Sequence, residues 1–174
     1  MFIVTTQSAE INVARVTGRV ISGGHAVPED RIRNRYERTM NLLPRIVEES
    51  DIAYVMDNSG KDPRISVFPA RGSQGETTGV LPDFLKQRLA EPLVSRRQER
   101  DEIARQFGVA SLPDEEAGEY VGQIVWQGTH FAAQRTASGI VRHDLLLFDT
   151  PPRNGESLAL RYKDNAATAT IQNA

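Results

Sequence analysis

The periodicity of the apolar residues changes near residue 118, and this change limits the folds open to the chain more than any other feature. Upstream, strand-like runs at 1–6, 52–56 and 64–68 alternate with helical patterns. Downstream, five short β-type runs are separated by Gly, Asn, Asp and Pro clusters. The sequence therefore predicts an α+β protein, with a partial α/β segment followed by a small, barrel-like all-β domain.

Punctuating residues predict the internal boundaries. The first helix is predicted at 9–22, and a second runs from Pro28 to about Leu43, where Pro44 ends it and starts a short continuation. The charged run SRRQERDE at 95–102 is interpreted as a solvated helix face. We divide the chain into an α/β segment at 1–79, a helical segment at 80–108, an acidic linker at 109–118 and a β domain at 119–174.

The composition is typical of a soluble globular protein, with 39% hydrophobic and 25% charged residues. The chain has no cysteine, which excludes disulfides and thiolate zinc sites. No apolar run approaches about 18 residues, and no signal-peptide pattern opens the sequence. These features predict a cytoplasmic protein with no membrane partner.

A strand at the start of the chain, followed by helical crossovers, predicts a parallel strand pair. Parallel sheets usually need cover on both faces, and two helices can barely provide it. Three possibilities stay open: the C-terminal half covers the sheet, another protein covers the N-terminal strand, or the segment is the remnant of a larger domain.

Arginine is concentrated between residues 11 and 38. This stretch holds six arginines and three acids, a surplus of +3, whereas the whole chain carries −2 and the remainder therefore −5. Guanidinium groups fit phosphate oxygens well, so the sequence predicts an anion site. The alternative is that Glu29 and Glu37 pair with Arg33 while the other arginines are solvated. On a helical wheel Arg31, Arg35 and Arg38 share one stripe, and a second, core-facing stripe contains Ile32, Tyr36, Leu43 and Val47.

The stretch from INVARV to NLLP, followed by IAYVMDNSG, resembles the lid and last core strands of zeta-toxin-like P-loop kinases. The resemblance rests on an Arg-bearing helix, a Gly-Gly-His turn, a Val-Pro-Glu helix start, an Arg-x-Arg-Tyr-x-Arg run and a strand ending in Asp-Asn-Ser, in that order. It implies a nucleotide-kinase-like α/β fold that phosphorylates a small molecule, such as a UDP-linked amino sugar, from ATP. The lid arginines that it implies at the donor phosphates are Arg19, Arg33 and Arg35, with Arg15, Arg31 and Arg38 next.

The chain departs from that family because it has no GxxxxGK[ST] loop. The nearest match, GSQGETT at 72–78, lacks the lysine and follows the strands. We therefore assign no catalytic residue, and expect ATP and Mg only if a P-loop part is supplied from elsewhere. Two hypotheses stay open: a non-catalytic accessory protein that retains a nucleotide- or phosphate-binding lid, or the C-terminal part of a split, toxin-antitoxin-type kinase.

The C-terminal runs resemble the KfrB-type domain of plasmid-maintenance and conjugation-associated proteins. The residues that carry this resemblance are Tyr120, Gly122, Ile124, Gln134, His143, Pro152, Gly155, Tyr162 and Ala169. The segment QRTASG stands where the family has a Gln-x-x-Gly-Arg turn. The resemblance implies a plasmid or mobile-element context and a binding role.

The remaining polar candidates predict little chemistry. His25, His130 and His143 lie far apart without acidic residues at ligand spacing, so no metal site is predicted. We expect His143 to lie inside the barrel with a hydrogen bond to the backbone. Asp57 and Asn58 fit either a ligand site at a strand end or an ordinary turn, and we favour the turn. Nucleic acid stays an alternative partner, because arginines also fit backbone phosphates.

Overall fold

The computed structural model describes residues 1–68, 79 and 81–171. The chain forms two compact units, residues 1–93 and 94–174. Apart from Gly79, the glycine-rich link at 70–79, including GSQGETT, lies outside the described residues. The division between the units falls inside a helix, and the four-part division made from the sequence stays a prediction.

The first unit is a mixed sheet with helices. Its strands are β1 (Phe2–Thr5), β2 (Ala53–Asp57) and β3 (Arg64–Phe68), in the spatial order β1-β2-β3. The pair β1 and β2 is parallel, as predicted, and β2 and β3 are antiparallel. Helices α1 (Ala9–Ile21) and α2 (Glu29–Glu49) form the crossover that a parallel pair requires.

Helix α2 runs through Pro44, so the prediction that this helix ends near Leu43 is wrong. A proline inside a helix loses one backbone hydrogen bond and crowds the carbonyl one turn earlier. Here Leu43, Pro44 and Val47 are all buried, with Val47 in the turn that follows the proline. Burial of this apolar stripe offsets the lost hydrogen bond, which a local propensity rule does not take into account.

The core of the first unit lies between α2 and one face of the sheet. The buried side chains that form it come from α2, the sheet and the next helical segment: Met40, Leu43, Val47, Ala53, Val55, Phe68, Leu85 and Leu89. That segment comprises α3 (Asp83–Leu85), a π-helical stretch (Lys86–Ala90) and α4 (Glu91–Phe107), which crosses into the second unit. The predicted core positions Leu43 and Val47 are confirmed, and Tyr36 packs at the margin.

The second unit contains a five-stranded antiparallel sheet. Its strands, in the spatial order β6-β5-β4-β7-β8, are β4 (Glu119–Gln127), β5 (Phe131–Thr136), β6 (Gly139–Asp144), β7 (Ser157–Lys163) and β8 (Ala166–Ile171). The five predicted β-type runs are therefore confirmed as strands. A 3-10 turn, Leu145–Leu147, follows β6. None of the described helices is long and apolar enough to cross a membrane.

The sheet is open, so the barrel-like closure predicted from the strand spacing is wrong. A barrel has no free edges, and closure here would require β6 to pair with β8. Instead, Ser111 forms a parallel bridge with Val141 of β6, and Phe148 forms one with Ala167 of β8. Each outer edge is thus partly occupied by a short connecting segment, which protects it without closing the sheet.

The β4–β5 pair depends on Gly122. A Cβ at this position would overlap the carbonyl oxygen of Arg135 on the neighbouring strand. Farther along β4 the register shifts between Ile124 and Trp126, which marks a β-bulge. A bulge of this kind typically increases the local twist of the strand that contains it, which here is the central strand of the sheet.

Candidate functional site: an arginine-lined pocket

A pocket opens at the carboxyl ends of the parallel strands β1 and β2. Thr5 and Thr6 line it where β1 ends, and Asn58 lines it directly after β2. Helices α1 and α2, together with Val27 in the connection between them, supply the remaining walls. The carboxyl end of parallel strands is the usual place for ligands in α/β folds. The volume of the pocket is about 620 Å³, which suits a small organic ligand.

Four arginines line this pocket. Arg15 and Arg19 stand one turn apart on α1, and Arg31 and Arg35 stand one turn apart on α2. The spacing of four residues places each pair on one side of its helix, and the two sides face the same cavity. Four of the six arginines selected from the sequence are thereby brought together, by two helices packed side by side.

The pocket also has an apolar wall. Val4, Val16, Val27, Ile32 and Met40 all contribute to its lining. A cavity that combines apolar side chains with a few convergent charged groups is typical of sites for small organic ligands. The arrangement can therefore hold an anionic group at the arginines and an apolar part of the same molecule against the wall.

Two hydrogen-bonded contacts fix the frame of the pocket. Nη2 of Arg15 donates to the backbone carbonyl of Asn58 at 2.6 Å, which ties α1 to the end of β2. The Tyr36 hydroxyl lies 3.0 and 2.9 Å from the carbonyl oxygens of Thr6 and Gln7, to which its single proton can donate. Burial raises the pKa of Tyr36, so this hydroxyl keeps its proton and stays a donor. Tyr36 thus holds α2 against the turn between β1 and α1.

The cations of the pocket have no counter-charge among the described residues. Arg15, Arg19, Arg31 and Arg35 form no ion pair with any described carboxylate, and all four are exposed. Like charges four residues apart on a helix repel by a few tenths of a kcal/mol. Within the described part of the chain, this repulsion is not relieved by any acidic side chain of the pocket lining.

Arg33 and Arg38 do not line the pocket. Arg33 points to another side of α2, where it forms ion pairs with Glu10 and, at 3.6 Å, with Glu29. Hydrogen bonds from its own backbone N–H, from Ser8 and from Arg33 lower the pKa of Glu10. Arg38 is exposed and has no ion pair with any described residue.

The alternative interpretation, in which Glu29 and Glu37 both pair with Arg33, is only half correct. Glu29 pairs with Arg33, as that interpretation required, but Glu37 pairs with Arg88 instead. At the end of β2, Oδ1 of Asp57 accepts the backbone N–H of Ser59 at 2.9 Å and is also bonded to its hydroxyl. These bonds form an Asx-type turn, as we favoured, and that turn presents Asn58 to the pocket.

The second unit contains a group of buried polar residues: Arg96, Gln134, His143 and Asp144. Arg96 is 2% exposed and donates from Nη2 to Oδ2 of Asp144 at 2.7 Å, and its guanidinium lies 4.5 Å from the centre of the Phe131 ring. The prediction that SRRQERDE is a solvated face is therefore wrong for Arg96. No local signal could find this pair, since its acidic member lies 48 residues downstream.

Glu99, one turn after Arg96, binds the backbone instead of solvent. Its two carboxylate oxygens accept backbone N–H groups of Thr129, His130 and Phe131, at 2.8 to 3.2 Å. Three successive donors at the start of β5 are thereby satisfied by one side chain. Sequence reasoning missed Glu99 because a carboxylate in a charged run looks like a solvated residue.

Gln134 and His143 are fully buried within the sheet. Nε2 of Gln134 lies 3.0 to 3.3 Å from the carbonyl oxygens of Tyr120, Gly122 and Leu158, to which its two protons can donate, and so ties β5 to β4 and β7. Nδ1 of His143 lies 2.7 Å from the Tyr162 hydroxyl, so the predicted backbone partner of His143 is wrong. Burial lowers the pKa of His143 to about 4. Gln134 and His143 therefore stabilise the sheet. Protonation of His143 should lower the free energy of unfolding of the second unit.

Among the described residues, no three His, Asp or Glu side chains converge as metal ligands would. His25 is exposed in the connection between α1 and α2, and His130 lies partly buried before β5. The histidines thus do not assemble into a site within the described chain.

Two comparisons with known proteins bear on the chain. It is 25% identical over 121 residues to a protein described as a neutral protease 2 homolog from Trichophyton verrucosum (strain HKI 0517). The alignment covers 68% of this chain but 27% of that protein, so the chain spans about a quarter of the relative's length. The second comparison concerns the sheet that carries Gln134 and His143: residues 119–171, which comprise β4 to β8, match the KfrB domain family, and this part of the chain is a KfrB domain.

Proposed function

We propose that the protein is a non-catalytic accessory protein of a plasmid or other mobile element. In this proposal the arginine-lined pocket binds a nucleotide or another phosphorylated small molecule, and the KfrB domain serves as an interaction module. The mobile-element context comes from the KfrB domain, and the ligand class comes from the pocket.

One observation carries the binding part of the proposal. Arg15, Arg19, Arg31 and Arg35 converge on one cavity without a carboxylate partner among the described residues. Guanidinium groups bind phosphate through paired, charge-assisted hydrogen bonds, which are about twice as strong as neutral ones. A bound phosphoryl group would relieve the repulsion within each arginine pair, so the site gains most from an anion with several acceptor oxygens.

The lining of the pocket supports binding more than catalysis. Its described residues include no carboxylate, histidine or lysine. Arginine does not give up its proton in proteins and therefore cannot act as a general base. Phosphoryl transfer also needs a phosphate-holding loop and a metal-binding hydroxyl in a fixed arrangement. The described lining supplies positive charge and an apolar wall, which suffice for recognition.

The experiment is an isothermal titration of the full chain with ADP, inorganic phosphate and sulfate, each in separate runs without magnesium. Arg35→Gln and Arg33→Gln form a matched pair, since both remove one positive charge from the same helix, two residues apart. We expect Arg35→Gln to weaken binding about tenfold, because it removes a charge-assisted contact. Arg33→Gln should leave the affinity within about twofold, because Arg33 is paired with Glu10 outside the pocket.

Two results would contradict the proposal. The first is the absence of binding heat when wild type is titrated with each of the three anions at concentrations up to several millimolar. The second is an equal loss of affinity in the two variants, which would mean that the anion responds to the overall charge of α2 and not to the pocket.

A second candidate is the C-terminal part of a split zeta-toxin-like kinase. The parallel pair β1 and β2 favours it, since β1 is an edge strand next to which further strands of a larger sheet could pair. ATP and Mg would then be held by a P-loop part from another chain or from upstream sequence. Addition of a separately expressed P-loop segment, if the neighbouring DNA encodes one, should produce ATP turnover that Arg35→Gln abolishes. No turnover with such a segment would rule this candidate out.

A further inference from the structure

The second unit has an open sheet edge along β8. Strands β7 and β8 are joined by the turn residues Asp164 and Asn165, whose φ angles are 50° and 61°. In a hairpin with such a turn, hydrogen-bonded and non-hydrogen-bonded pairs alternate, beginning with a hydrogen-bonded pair next to the turn. Ala167 and Ala169 therefore belong to non-hydrogen-bonded pairs, and their backbone N–H and C=O groups point away from β7.

The chain itself begins to pair with this edge and then stops. Phe148 forms a parallel bridge with Ala167. If the parallel pairing continued, the N–H of residue 151 would have to donate to the carbonyl oxygen of Ala169. This residue is Pro151, which has no N–H, so the pairing ends before Ala169. Among the described residues, none hydrogen-bonds to the outward-facing backbone of Ala169.

A groove opens where the two segments separate. Residues 149–153 bound it on one side and β8 bounds it on the other, and its volume is about 380 Å³. Pro152 and Leu158, which are both buried, contribute to its lining. Ala167 is buried, whereas Ala169, on the same side of the sheet, is exposed. The cover of the sheet therefore ends at the position where the backbone of β8 is left without a partner.

We propose that an extended peptide segment of a partner protein adds to β8 and fills this groove. An added strand satisfies the outward N–H and C=O groups of a sheet edge, because its own groups have the matching spacing. In this mode of recognition, main-chain hydrogen bonds provide affinity and pockets for alternate side chains provide specificity. The inference rests on the part of the proposed function that makes the KfrB domain an interaction module, and it does not depend on the arginine-lined pocket.

The lining of the groove indicates the chemistry of the peptide. Its buried part, Pro152 and Leu158, suits an apolar side chain. Asp149 and Arg153 are exposed at the two ends of the bounding segment, and neither forms an ion pair with a described residue. The Glu156 carboxylate instead accepts the backbone N–H of Arg153 at 2.8 Å. The complementary strand carries an apolar residue between a basic residue, for Asp149, and an acidic one, for Arg153.

The opposite edge of the sheet provides an internal contrast. There, the N–H of Ser111 donates to the carbonyl oxygen of Ile140, and the carbonyl oxygen of Ser111 accepts the N–H of Arg142, both at 2.9 Å. The chain itself thus occupies the outward groups of β6 around Val141. At β8 the corresponding groups of Ala169 are left to an external strand.

The test uses the full chain, labelled with 15N, and a series of capped heptapeptides. In each peptide, Thr alternates with Lys, an apolar residue and Glu, in that order, so that the last three point to one side of an extended strand. The apolar residue is Val, Ile, Leu or Phe in four separate peptides, and Pro in a control peptide. We expect at least one of the four to shift the amide resonance of Ala169 with a Kd below about 1 mM. The Pro peptide should leave this resonance unchanged, because its central residue lacks the N–H.

Hydrogen exchange of the same sample measures whether the edge is open. In the free protein, the Ala169 amide should exchange faster than those of Thr168 and Arg142, because Thr168 is in a hydrogen-bonded pair with Arg161 and Arg142 is bonded to Ser111. A bound peptide should slow the exchange of Ala169 and leave the other two amides unchanged.

Two pairs of proteins locate the binding site. Ala169→Pro removes the outward N–H without removing a bond to β7, and should weaken binding at least about tenfold relative to wild type. If this variant does not fold, Arg153→Gln and Arg161→Gln replace it as a matched pair. Arg153→Gln should weaken binding about threefold to fivefold, whereas Arg161→Gln, which removes a cation paired with Glu119 at 3.0 Å, should change it by less than about twofold.

Three outcomes would overturn the proposal. One is the absence of any shift at Ala169 with all four peptides at about 5 mM. Another is equal peptide binding by wild type and Ala169→Pro, or by Arg153→Gln and Arg161→Gln, which would place the peptide elsewhere. The third is an Ala169 amide that exchanges as slowly as Arg142 in the free protein; if its protection increased with protein concentration, a second copy would be the occupant. None of these outcomes affects the anion titration, which tests the arginine-lined pocket separately.

Discussion

Arginine appears in two opposite settings in this molecule. In the second unit, Arg96 is buried and matched to Asp144 and the Phe131 ring. In the first unit, Arg15, Arg19, Arg31 and Arg35 surround a cavity and face no described carboxylate. A buried charge is tolerated only when its partners are built in, whereas an exposed and unmatched set of charges can accept an external anion. The surroundings of the guanidinium group thus separate a structural arginine from a candidate binding arginine.

The largest effect that should follow from this comparison is on stability. Arg96→Met removes the guanidinium that Asp144 binds in the interior, and should lower the free energy of unfolding by about 3–5 kcal/mol. Arg35→Met removes an exposed cation and should change it by less than about 0.5 kcal/mol. Urea unfolding followed by the fluorescence of Trp126 reports on the second unit, because this is the only tryptophan of the chain.

The contrast between buried and exposed arginines would be contradicted if Arg96→Met and Arg35→Met lowered the free energy of unfolding of their respective units by equal amounts. Circular dichroism at 222 nm, to which α1 and α2 of the first unit contribute, follows unfolding for Arg35→Met. A double replacement, Arg96→Met with Asp144→Leu, should recover most of the loss, because it removes both charges of the buried pair together.

The next effect concerns the pH dependence of the second unit. The pKa of His143 is about 4 in the folded chain, against an ordinary value of 6.5, because burial disfavours the charged form. The unfolded state therefore binds the additional proton between these pH values. The stabilising effect of neutral His143 is fully present above pH 6.5 and decreases as the pH falls toward 4, by about 3 kcal/mol in total.

His143→Phe is the matched variant, since phenylalanine fits among the rings of Tyr120, Phe148 and Tyr162 and does not titrate. Trp126-detected unfolding at pH 7 and pH 5 should show a smaller decrease in stability for the variant than for wild type. Identical pH dependence in both proteins would mean that His143 is not the titrating group.

A smaller effect is expected at Glu99. Glu99→Gln replaces one of two acceptor oxygens by an amide that faces backbone N–H groups, and should cost about 1–3 kcal/mol in the second unit. Glu10→Gln provides the contrast, because Glu10 pairs with Arg33 in an exposed position, and it should give no measurable change. Thermal unfolding of the three proteins at one pH distinguishes the two cases, and equal shifts in Tm would contradict the assignment of Glu99.

Local patterns predicted the elements of the fold better than their long-range relations. The five C-terminal strands and α1 follow from short sequence signals, and the match of residues 119–171 to the KfrB domain agrees with the residues quoted for that resemblance. Whether the sheet closes could not be predicted from these signals, because it depends on whether Ser111 and Phe148 pair with the outer strands β6 and β8. Strand spacing contains no information about those pairings.

The candidate site shows the same division. The helical spacing of Arg31 and Arg35 was visible in the sequence, and these two residues do face one cavity. Whether Arg33 or Arg15 joins them depends on Glu10 and Asn58, which come from other elements. Pro44 and Arg96 illustrate the same limit, since burial decides both outcomes and burial is a property of the folded chain.

The smallest effect sharpens the comparison within the first unit itself. Arg31→Gln and Arg38→Gln each remove one exposed cation from α2, but only Arg31 lines the pocket. If the cavity binds the anion, Arg31→Gln should weaken the affinity for ADP about fivefold to tenfold, which corresponds to about 1 kcal/mol. Arg38→Gln should change it by less than twofold, and the remaining change should vanish at higher salt, because exposed charges outside the site act only through a screened field. Titrations of both variants at 50 and 300 mM NaCl separate the two mechanisms. A difference in affinity between the variants that persists at 300 mM NaCl would locate the anion in the pocket. Equal losses of affinity that disappear at 300 mM NaCl would mean that the whole arginine-rich surface attracts anions without a defined site.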